Sequence, residues 1–283
     1  MGNETTEGGL PRAVAAAWGL LETPQRGPAR GLDHRRIAEA AVGIADEEGL
    51  TAVTMSSVAR SLGFTTMSLY RYVSSKDELL RLMQDAAVGV PAKAQLPAVW
   101  PAGIKAWADL IRESYRAHPW LMDLPRDQAA VLMPNTLRAA ELGLATMAGL
   151  NLDDGEKIGV ILLISQHVMS LVELERSLAA EGGLSLTAEG LERLSTVITP
   201  EDFPHLAAMV STGGFMGDPI DGPDGVSGPD TAEQVPTEPA DPANVEAEYS
   251  MGLDLITAGV DALFARRGTT AAASGTARAI AGE

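Results

Sequence analysis

Apolar residues recur every three or four positions along most of this chain, and no other feature of the sequence constrains the fold as strongly. Side chains at this spacing share one face of an α-helix. A β-strand would need alternation with a period of two, which no segment sustains. The clearest example is the last periodic segment, with Tyr249, Leu253, Ile256, Val260 and Leu263. The sequence therefore predicts an all-α protein.

Composition divides the chain into segments of different kinds. Short predicted helices fill residues 33–90 and longer ones fill 91–267, which indicates two helical domains. Residues 1–32 are rich in Gly, Pro and Arg, and we expect a flexible arm there. Residues of about 211–243 combine Gly, Pro and acidic side chains with almost no core-forming residues, which predicts a disordered insertion. The tail 268–283, mainly Ala, Gly, Ser and Thr, is also expected to be disordered.

Two short helices are predicted on either side of the sequence LGFTT at 62–66, in the form of a helix-turn-helix. Gly63 permits the sharp turn, because glycine adopts backbone conformations that other residues avoid. Thr65 is a suitable N-cap for the second helix. Leu69 and Val73, four residues apart, give that helix one buried face.

The second helix of this pair carries large side chains on its other faces. At 100° per residue, Met67 and Arg71 point away from Leu69, and Ser68 and Tyr70 lie on the flanks. Hydroxyl groups, a flexible apolar side chain, an arginine and a tyrosine suit the base edges, thymine methyls and phosphates of a DNA major groove. The pattern therefore indicates DNA binding.

The net charge of −17 argues against a nucleic-acid partner if the chain is taken as a whole. Its acidic residues are concentrated away from the helix-turn-helix, since residues 217–248 hold nine of them and no basic residue. Residues 26–81 hold eight basic and seven acidic residues. A locally basic surface is therefore compatible with the predicted motif.

Three features between Ile37 and Leu80 extend this motif: a first helix that ends in EEGL, the turn ARSLG, and the run LYRYVSSKDELL. Together they closely resemble the DNA-binding domain of TetR-family transcriptional repressors, and residues 245–266 are similar to the last helix of the tetracycline-repressor-like branch. The resemblance implies an N-terminal three-helix helix-turn-helix domain and a larger helical domain for ligand binding and dimerisation. It also implies a homodimer that represses transcription from a palindromic operator in double-stranded DNA. A small, largely hydrophobic effector would release it.

The resemblance implies roles for individual residues as well. Thr66, Met67 and Ser68 would touch base edges, whereas Lys76 would hold a phosphate. The full set of candidate DNA contacts is Thr54, Ser56, Thr65, Thr66, Met67, Ser68, Tyr70, Arg71, Tyr72 and Lys76. The competing interpretation is that the two tyrosines only cover the small core and that Lys76 is a solvated charge.

Arg26 and Arg30 are two further candidate DNA contacts, set among Gly and Pro just before the first helix of the motif. One hypothesis places them in the adjacent minor groove, as in the N-terminal arm of a homeodomain. The alternative is a disordered leader that does not touch DNA.

The second domain mixes apolar and polar side chains in the way that small-molecule sites do. The candidates for effector binding are Trp107, Ile111, Tyr115, His118, Trp120, Met133, Asn135, Gln166, His167, Met169 and Ser170. Each of them could instead belong to the core or to a helix end. We find no match to the histidine and glutamate arrangement with which tetracycline repressors hold a magnesium-bound drug, and we expect neither a metal nor a cofactor.

Two long predicted helices, 154–180 and 245–267, are apolar on more than one face and therefore need packing partners. Such helices can pair with those of a second copy in a four-helix bundle, which is how the family forms its dimer. The candidate dimer contacts are Ile161, Val168, Val172, Leu253, Ile256 and Val260.

Several other functions lack support. The absence of cysteine rules out disulfides, thiolate zinc sites and cysteine nucleophiles. No motif of a catalytic serine or a phosphate-binding loop is present, so we expect no enzyme. Two alternatives stay open: a helical enzyme acting on the pocket ligand, and an interaction protein acting through residues 217–248. The chain shows no export signal, and its longest strongly apolar run, 158–165, is shorter than the roughly 18 residues of a membrane span. We therefore expect a cytoplasmic protein without a membrane partner.

Overall fold

The computed structural model describes residues 5–6, 9–21, 32–91, 94–125, 128–179, 188–211 and 242–280. Within these ranges the chain forms α-helices and short 3₁₀ turns, and its β structure is limited to one bridge between Thr5 and Pro11. The helices are α1 (Arg12–Ala17), α2 (His34–Glu48), α3 (Met55–Ser61), α4 (Thr66–Tyr70), α5 (Lys76–Ala87), α6 (Ala102–Ala117), α7 (Pro134–Thr146), α8 (Asp154–Ala179), α9 (Ala188–Val197), α10 (Ala207–Ser211) and α11 (Pro242–Ile280). The predicted all-α fold is therefore confirmed.

Helices α2 to α5 each begin at a side chain that accepts a hydrogen bond from the first turn. Asp33 caps α2 by accepting a hydrogen bond from the backbone N–H of Arg36 at 2.7 Å. Thr65 and Ser75 cap α4 and α5 in the same way. Gly63 has a φ of 77°, in the left-handed region that favours glycine, and it makes the turn between α3 and α4.

The chain divides into two compact units, residues 1–169 with 255–283 and residues 170–254. In the first unit α2 to α5 pack around one hydrophobic cluster, which also includes buried residues from the segment that follows α6. Its members from that segment are Trp120, Leu121, Leu124, Ala129 and Met133. The helix-turn-helix therefore shares its core with residues that composition alone assigned to the second domain.

Helix α1 is packed into the same unit. Ala13, Val14, Ala15 and Ala16 are each at most 4% exposed, and Val14 and Ala16 belong to the cluster that holds α2 to α5 together. The expectation of a flexible arm is therefore wrong for this part of residues 1–32. The reason is that these four consecutive residues are apolar, so their burial stabilises the helix even though Gly, Pro and Arg predominate elsewhere in residues 1–32.

The second unit contains the end of α8, all of α9 and α10, and the first part of α11. Its buried residues include Leu171, Val172, Ala207, Val210 and Tyr249. Of the predicted acidic insertion, residues 212–241 lie outside the described part of the chain.

Helix α11 continues to Ile280, whereas hydrophobic periodicity predicted its end near Arg267 and composition predicted a disordered tail at 268–283. The segment contains Ala271, Ala272 and Ala273, and alanine has the highest helix propensity of all residues. Local propensity accounts for the longer helix, since the hydrophobic periodicity stops before this point.

Helix α8 is the only described helix that is long and apolar enough, by length and composition, to cross a membrane. One third of its most apolar window is buried within the chain. Ile158, Leu162 and Leu163 are each about half exposed. A helix of this kind needs a further apolar partner on its open side.

Candidate nucleic-acid interface

The recognition helix of the predicted motif is α4, and its orientation agrees with the one predicted from the spacing of Leu69 and Val73. Leu69 and Val73 are fully buried in the cluster beneath it. Met67 is 76% exposed and Tyr70 is 46% exposed. A methionine this exposed contributes nothing to the core, so the outward face of α4 is available for another molecule.

The described candidate DNA contacts lie on α3, α4 and α5 or directly beside these helices. Exposed side chains are those of Thr54, Ser56, Thr65, Met67, Tyr70, Arg71 and Lys76, whereas those of Thr66, Ser68 and Tyr72 are partly buried. Arg26 and Arg30 lie outside the described residues. The described set combines hydroxyls, two cations and aromatic or apolar side chains, which are the groups that bind phosphates and base edges.

The hydroxyl of Thr54 is engaged in a helix cap and is therefore less available for a DNA contact. The Ser57 backbone N–H donates to Thr54 Oγ1 at 3.0 Å, and the Thr54 backbone N–H donates to Ser57 Oγ at 2.9 Å. This reciprocal pair is a capping box at the start of α3. Ser56 Oγ lies 3.1 Å from Thr54 Oγ1 and is exposed, so it presents the freer hydroxyl of the two.

Tyr72 connects the end of α4 to α2. Its ring lies edge-on to that of His34, with the ring centroids 6.1 Å apart, and it packs against the hydrophobic cluster. The Nε2 atom of His34 lies 3.0 Å from the carbonyl oxygen of Tyr72. The core-covering interpretation therefore fits Tyr72 better than Tyr70, which is more exposed.

The turn between α4 and α5 is held by Glu78, which the sequence analysis did not single out. The backbone N–H and the hydroxyl of Ser74 donate to Glu78 Oε2 at 2.7 and 2.6 Å. Glu78 is 2% exposed, and Arg12 Nε lies 3.3 Å from the same carboxylate oxygen. A buried carboxylate requires such partners, because burying an unpaired charge is costly.

Two candidate effector residues on α6 fill the interior of the first unit. Trp107 is 2% exposed and its indole N–H donates to the carbonyl oxygen of Ala139 at 2.7 Å. Gly143 on α7 faces that indole so closely that an added Cβ would lie 2.9 Å from Trp107 Cε2 and would overlap Ile161 Cδ1. Ile111 is 7% exposed. The packing around Trp107 is therefore tight in this conformation.

Four other effector candidates lie where α6 and the following turn meet the helix-turn-helix. Trp120 and Met133 are members of the hydrophobic cluster, and Tyr115 packs against it. His118 Nδ1 lies 2.8 Å from Asp46 Oδ1, and Trp120 donates its indole N–H to the same oxygen at 2.7 Å. Asp46, at the end of α2, therefore connects the helix-turn-helix to α6, a contact that no local sequence pattern indicated.

Asn135 lies at a second junction, between α5 and α7. The backbone N–H groups of Asn135 and Thr136 donate to Asp85 Oδ1 at 2.9 and 3.2 Å, and Asn135 Nδ2 donates to the Asp85 carbonyl at 3.0 Å. Asp85 is 6% exposed. Burial raises the pKa of Asp85, while the hydrogen bonds from Thr136 and Asn135 and the charge of Arg138 oppose that rise.

The last four effector candidates are on α8. Gln166 and Ser170 are exposed, whereas His167 and Met169 are partly buried. The eleven candidates thus lie on α6, at the two junctions and on α8. Among the described residues, no group of three or more His, Asp or Glu side chains could hold a metal ion.

An apolar cleft of about 510 Å³ lies in the first unit between α8 and α11. Its lining includes Val160 and Leu163 on α8 and Leu255, Ile256 and Leu263 on α11. Gly159 and Gly259 also line it, and a Cβ at either position would meet no atom within 4 Å. The cleft is therefore open and apolar, with Glu156 at its margin.

The predicted dimer contacts are mostly buried within the chain itself. Ile161, Val168, Val172, Leu253 and Val260 are each at most 7% exposed, and Ile256 is partly buried. The exposed apolar side chains of the same two helices are neighbours of these residues: Ile158, Leu162, Leu163, Met251, Leu255 and Leu263. Periodicity missed this distinction because α8 is apolar on nearly every side.

Comparison with known proteins supports the family resemblance and the fold. Residues 37–83 match the family model "Bacterial regulatory proteins, tetR family", and residues 93–218 match "Tetracyclin repressor-like, C-terminal domain". Neither model reaches α1.

Curated relatives of the chain are transcriptional regulators. It is 37% identical over 167 residues to the HTH-type transcriptional repressor DrrR1 of Streptomyces coeruleorubidus, a match that covers 57% of this chain and 60% of that repressor. It is 29% identical over 180 residues to an HTH-type transcriptional regulator of Saccharopolyspora erythraea, covering 62% and 74% of the two chains. The match to DrrR1 spans less than two thirds of that protein's length.

Solved structures show the same fold. The structure of the Streptomyces coelicolor TetR family protein ActR in complex with (S)-DNPA aligns with a TM-score of 0.57 at 23% identity, covering 82% of this chain and 98% of ActR. ActR in complex with actinorhodin aligns with a TM-score of 0.52 at 24% identity, covering 83% and 98%. At these identities the likeness concerns the fold alone.

Proposed function

Because this chain belongs to the TetR family of bacterial transcriptional regulators, we propose that it represses transcription by binding an operator in double-stranded DNA. The observation that supports this best is the mounting of α4. Leu69 and Val73 are fully buried beneath the helix, while Met67 is 76% exposed on its outward face. Such a helix presents side chains to a major groove without loss of its own core.

The candidate residues of α3 to α5 have different roles in DNA recognition. Thr66, Met67 and Ser68, at the N-terminus of α4, contact base edges and set sequence preference. Tyr70 and Lys76 contact the backbone, and the charge of Lys76 gives binding its dependence on salt. Arg71, exposed at the end of α4, is an additional base or phosphate contact.

The repressor acts as a homodimer in which α8 and α11 of one copy pair with those of the other. The exposed apolar residues on these helices and the open cleft between them support this arrangement. A two-fold dimer places two recognition helices about one helical turn of DNA apart, so its operator is palindromic. The same pairing covers the apolar side of α8, and we therefore interpret that helix as an interface of a cytoplasmic protein.

Light scattering tests this pairing directly. The protein should have twice the mass of one chain at micromolar concentration. Leu162→Glu with Leu255→Glu should give a monomer, because both side chains are more than half exposed on the proposed interface. A control with Leu132→Glu changes an exposed leucine on a different surface and should leave the mass unchanged. A wild-type monomer would contradict the proposal.

A small, largely hydrophobic molecule releases the dimer from its operator. The ligand complexes of ActR support a small-molecule effector, and the apolar residues around Trp107 and Ile111 support its hydrophobic character. The ligand acts only if it binds more tightly to the arrangement of α4 that does not fit the operator. The contacts of Asp46 with α6 and of Asp85 with α7 connect the helix-turn-helix to the helices around that interior.

Selection of bound sequences from random double-stranded DNA tests the function. We expect a palindrome with half-sites about one helical turn apart, and its recovery should fall when the selection contains an effective hydrophobic ligand. Recovery of no preferred sequence would contradict the proposal that this protein reads an operator. The relatives are transcriptional regulators, which supports a regulatory function.

A further inference from the structure

Helix α1 lies outside both matched family models, yet its first residue contacts Glu78 in the first turn of α5. Arg12, its first residue, is 3.3 Å from Glu78 Oε2 through Nε. Glu78 is 2% exposed, and Arg12 is one third exposed. The contact therefore brings a cation from the N-terminal extension to a buried carboxylate of α5.

Glu78 in turn determines the path of the chain between α4 and α5. Its Oε2 accepts hydrogen bonds from both the backbone N–H and the hydroxyl of Ser74. Ser74 follows the buried Val73 and precedes Ser75, the N-cap of α5. A shift of Glu78 would move the end of α4 relative to the first residue of α5, Lys76.

The other end of α1 is attached to a different part of the first unit. The indole N–H of Trp18 donates to the carbonyl oxygen of Leu132 at 2.8 Å, two residues before α7 begins at Pro134. Between the two attachments, Val14 and Ala16 are buried in the hydrophobic cluster. Helix α1 therefore has a fixed position from which Arg12 can hold Glu78.

We propose that Arg12 and Glu78 are positioning residues for operator binding: Arg12 on α1 fixes the Glu78 carboxylate, and Glu78 fixes the turn that sets α4 and Lys76 relative to each other. Neither residue touches DNA. This inference rests on the proposed DNA-binding function and adds a role for the N-terminal extension. The loss of Arg12 leaves a buried carboxylate without this cation, and the turn relaxes to solvate it.

The test compares three variants of the full-length protein with wild type: Arg12→Gln, Glu78→Gln and the double variant. Arg12→Gln should weaken operator binding roughly tenfold, the effect of one displaced base or phosphate contact. The double variant should bind more tightly than Arg12→Gln, because a neutral amide at position 78 still accepts from Ser74 and leaves no unpaired charge. Arg193→Gln, which removes a cation from α9, is the matched control and should bind as wild type does.

Salt dependence of the double variant separates positioning from direct contact. Its slope of log Kd against log salt should equal that of wild type, since the turn and Lys76 regain their positions and Arg12 itself neutralises no phosphate. A slope lower by about 1 in the double variant would mean that Arg12 binds a phosphate and would overturn the inference. Binding is measured well below the unfolding temperature of every variant. Unchanged affinity of Arg12→Gln, whatever its thermal stability, would also overturn it.

The outcome is distinguishable from failure of the proposed function. If wild-type protein selects no operator, the DNA-binding proposal fails. If wild type binds an operator and Arg12→Gln binds it equally well, only the positioning role of α1 fails. Should Arg12→Gln not fold, Glu78→Ala decides the question, because it removes the acceptor of both Ser74 groups whereas Glu78→Gln keeps it. Glu78→Ala should bind the operator more weakly than Glu78→Gln, and equal affinity of the two would contradict the role of Glu78.

Discussion

Asp85 provides the sharpest test of the junction between the helix-turn-helix and α7. Its Oδ1 accepts hydrogen bonds from the backbone N–H groups of Asn135 and Thr136, which lie in the first turn of α7. Replacement by alanine removes the acceptor for both groups. An unsatisfied buried donor costs about 1–3 kcal/mol. Asn135 and Thr136 are only partly buried, so we expect Asp85→Ala to lower the free energy of unfolding by about 2–4 kcal/mol.

Asp85→Asn is the matched variant. It keeps an oxygen that can accept the same hydrogen bonds and removes only the charge. Because burial raises the pKa of Asp85, the charged form is the unfavourable one in the folded protein. We therefore expect the asparagine variant to lose less than about 1 kcal/mol, well under the loss in the alanine variant.

The difference in the free energy of unfolding between wild type and Asp85→Asn depends on pH, and the direction of the pKa shift determines its sign. The folded protein binds a proton at Asp85 more readily than the unfolded chain, whose pKa is near 3.8. The stability that this group contributes is therefore present at low pH and is lost as the pH rises from that value through the raised folded pKa. Relative to Asp85→Asn, wild type should gain stability as the pH falls through this window.

Urea unfolding followed by circular dichroism, at a series of pH values, measures both effects. Subtraction of the Asp85→Asn curve removes the contributions of all other titrating groups. A loss below about 0.5 kcal/mol in Asp85→Ala at neutral pH would refute the role of the two N–H donors. A difference curve that is flat, or that rises with pH, would refute the assigned direction of the pKa shift.

Three further predictions concern other parts of the site. Met67→Ala should leave the unfolding temperature unchanged, because the side chain is 76% exposed, and should relax base preference by about 1–3 kcal/mol at one operator position, measured by competition with operator variants. Arg26→Gln with Arg30→Gln should lower the salt slope of operator binding by about 2 if both bind phosphates near the minor groove; an unchanged slope would favour the leader hypothesis. Asp46→Ala should lower the free energy of unfolding by about 1–3 kcal/mol, because two ring N–H donors lose their acceptor, and denaturant titration would detect it.

Local signals in the sequence were sufficient to predict the helices of the helix-turn-helix region. Asp33, Thr65 and Ser75 cap helices with hydrogen bonds that span three residues, and such contacts can be inferred from neighbouring residues alone. The outward direction of Met67 followed from the four-residue spacing of Leu69 and Val73, and its exposure agrees. The positions of the buried side chains thus predict which side chains of the same helix are exposed.

Contacts between distant residues could not be inferred in this way. Arg12 and Glu78 are 66 positions apart in the sequence, and His118 reaches Asp46 across 72 positions. No local pattern marks either pair, since a charge on a helix is usually solvated. Trp120, a candidate effector contact, is a similar case: no local pattern indicates that its indole N–H donates to Asp46 or that it belongs to the cluster shared with α2 to α5.

Operator binding by a double variant, Tyr70→Ala with Lys76→Ala, tests the central claim most directly. Both side chains are exposed, so the variant should keep its helix content and its mass by light scattering. Its affinity for the selected operator should fall by about 2–5 kcal/mol and its salt slope by about 1. A control with Phe203→Ala and Lys105→Ala, which removes one aromatic ring and one lysine elsewhere, should bind as wild type does. Wild-type affinity and slope in the folded Tyr70 and Lys76 variant would contradict the claim that α4 and the start of α5 form the DNA-binding surface.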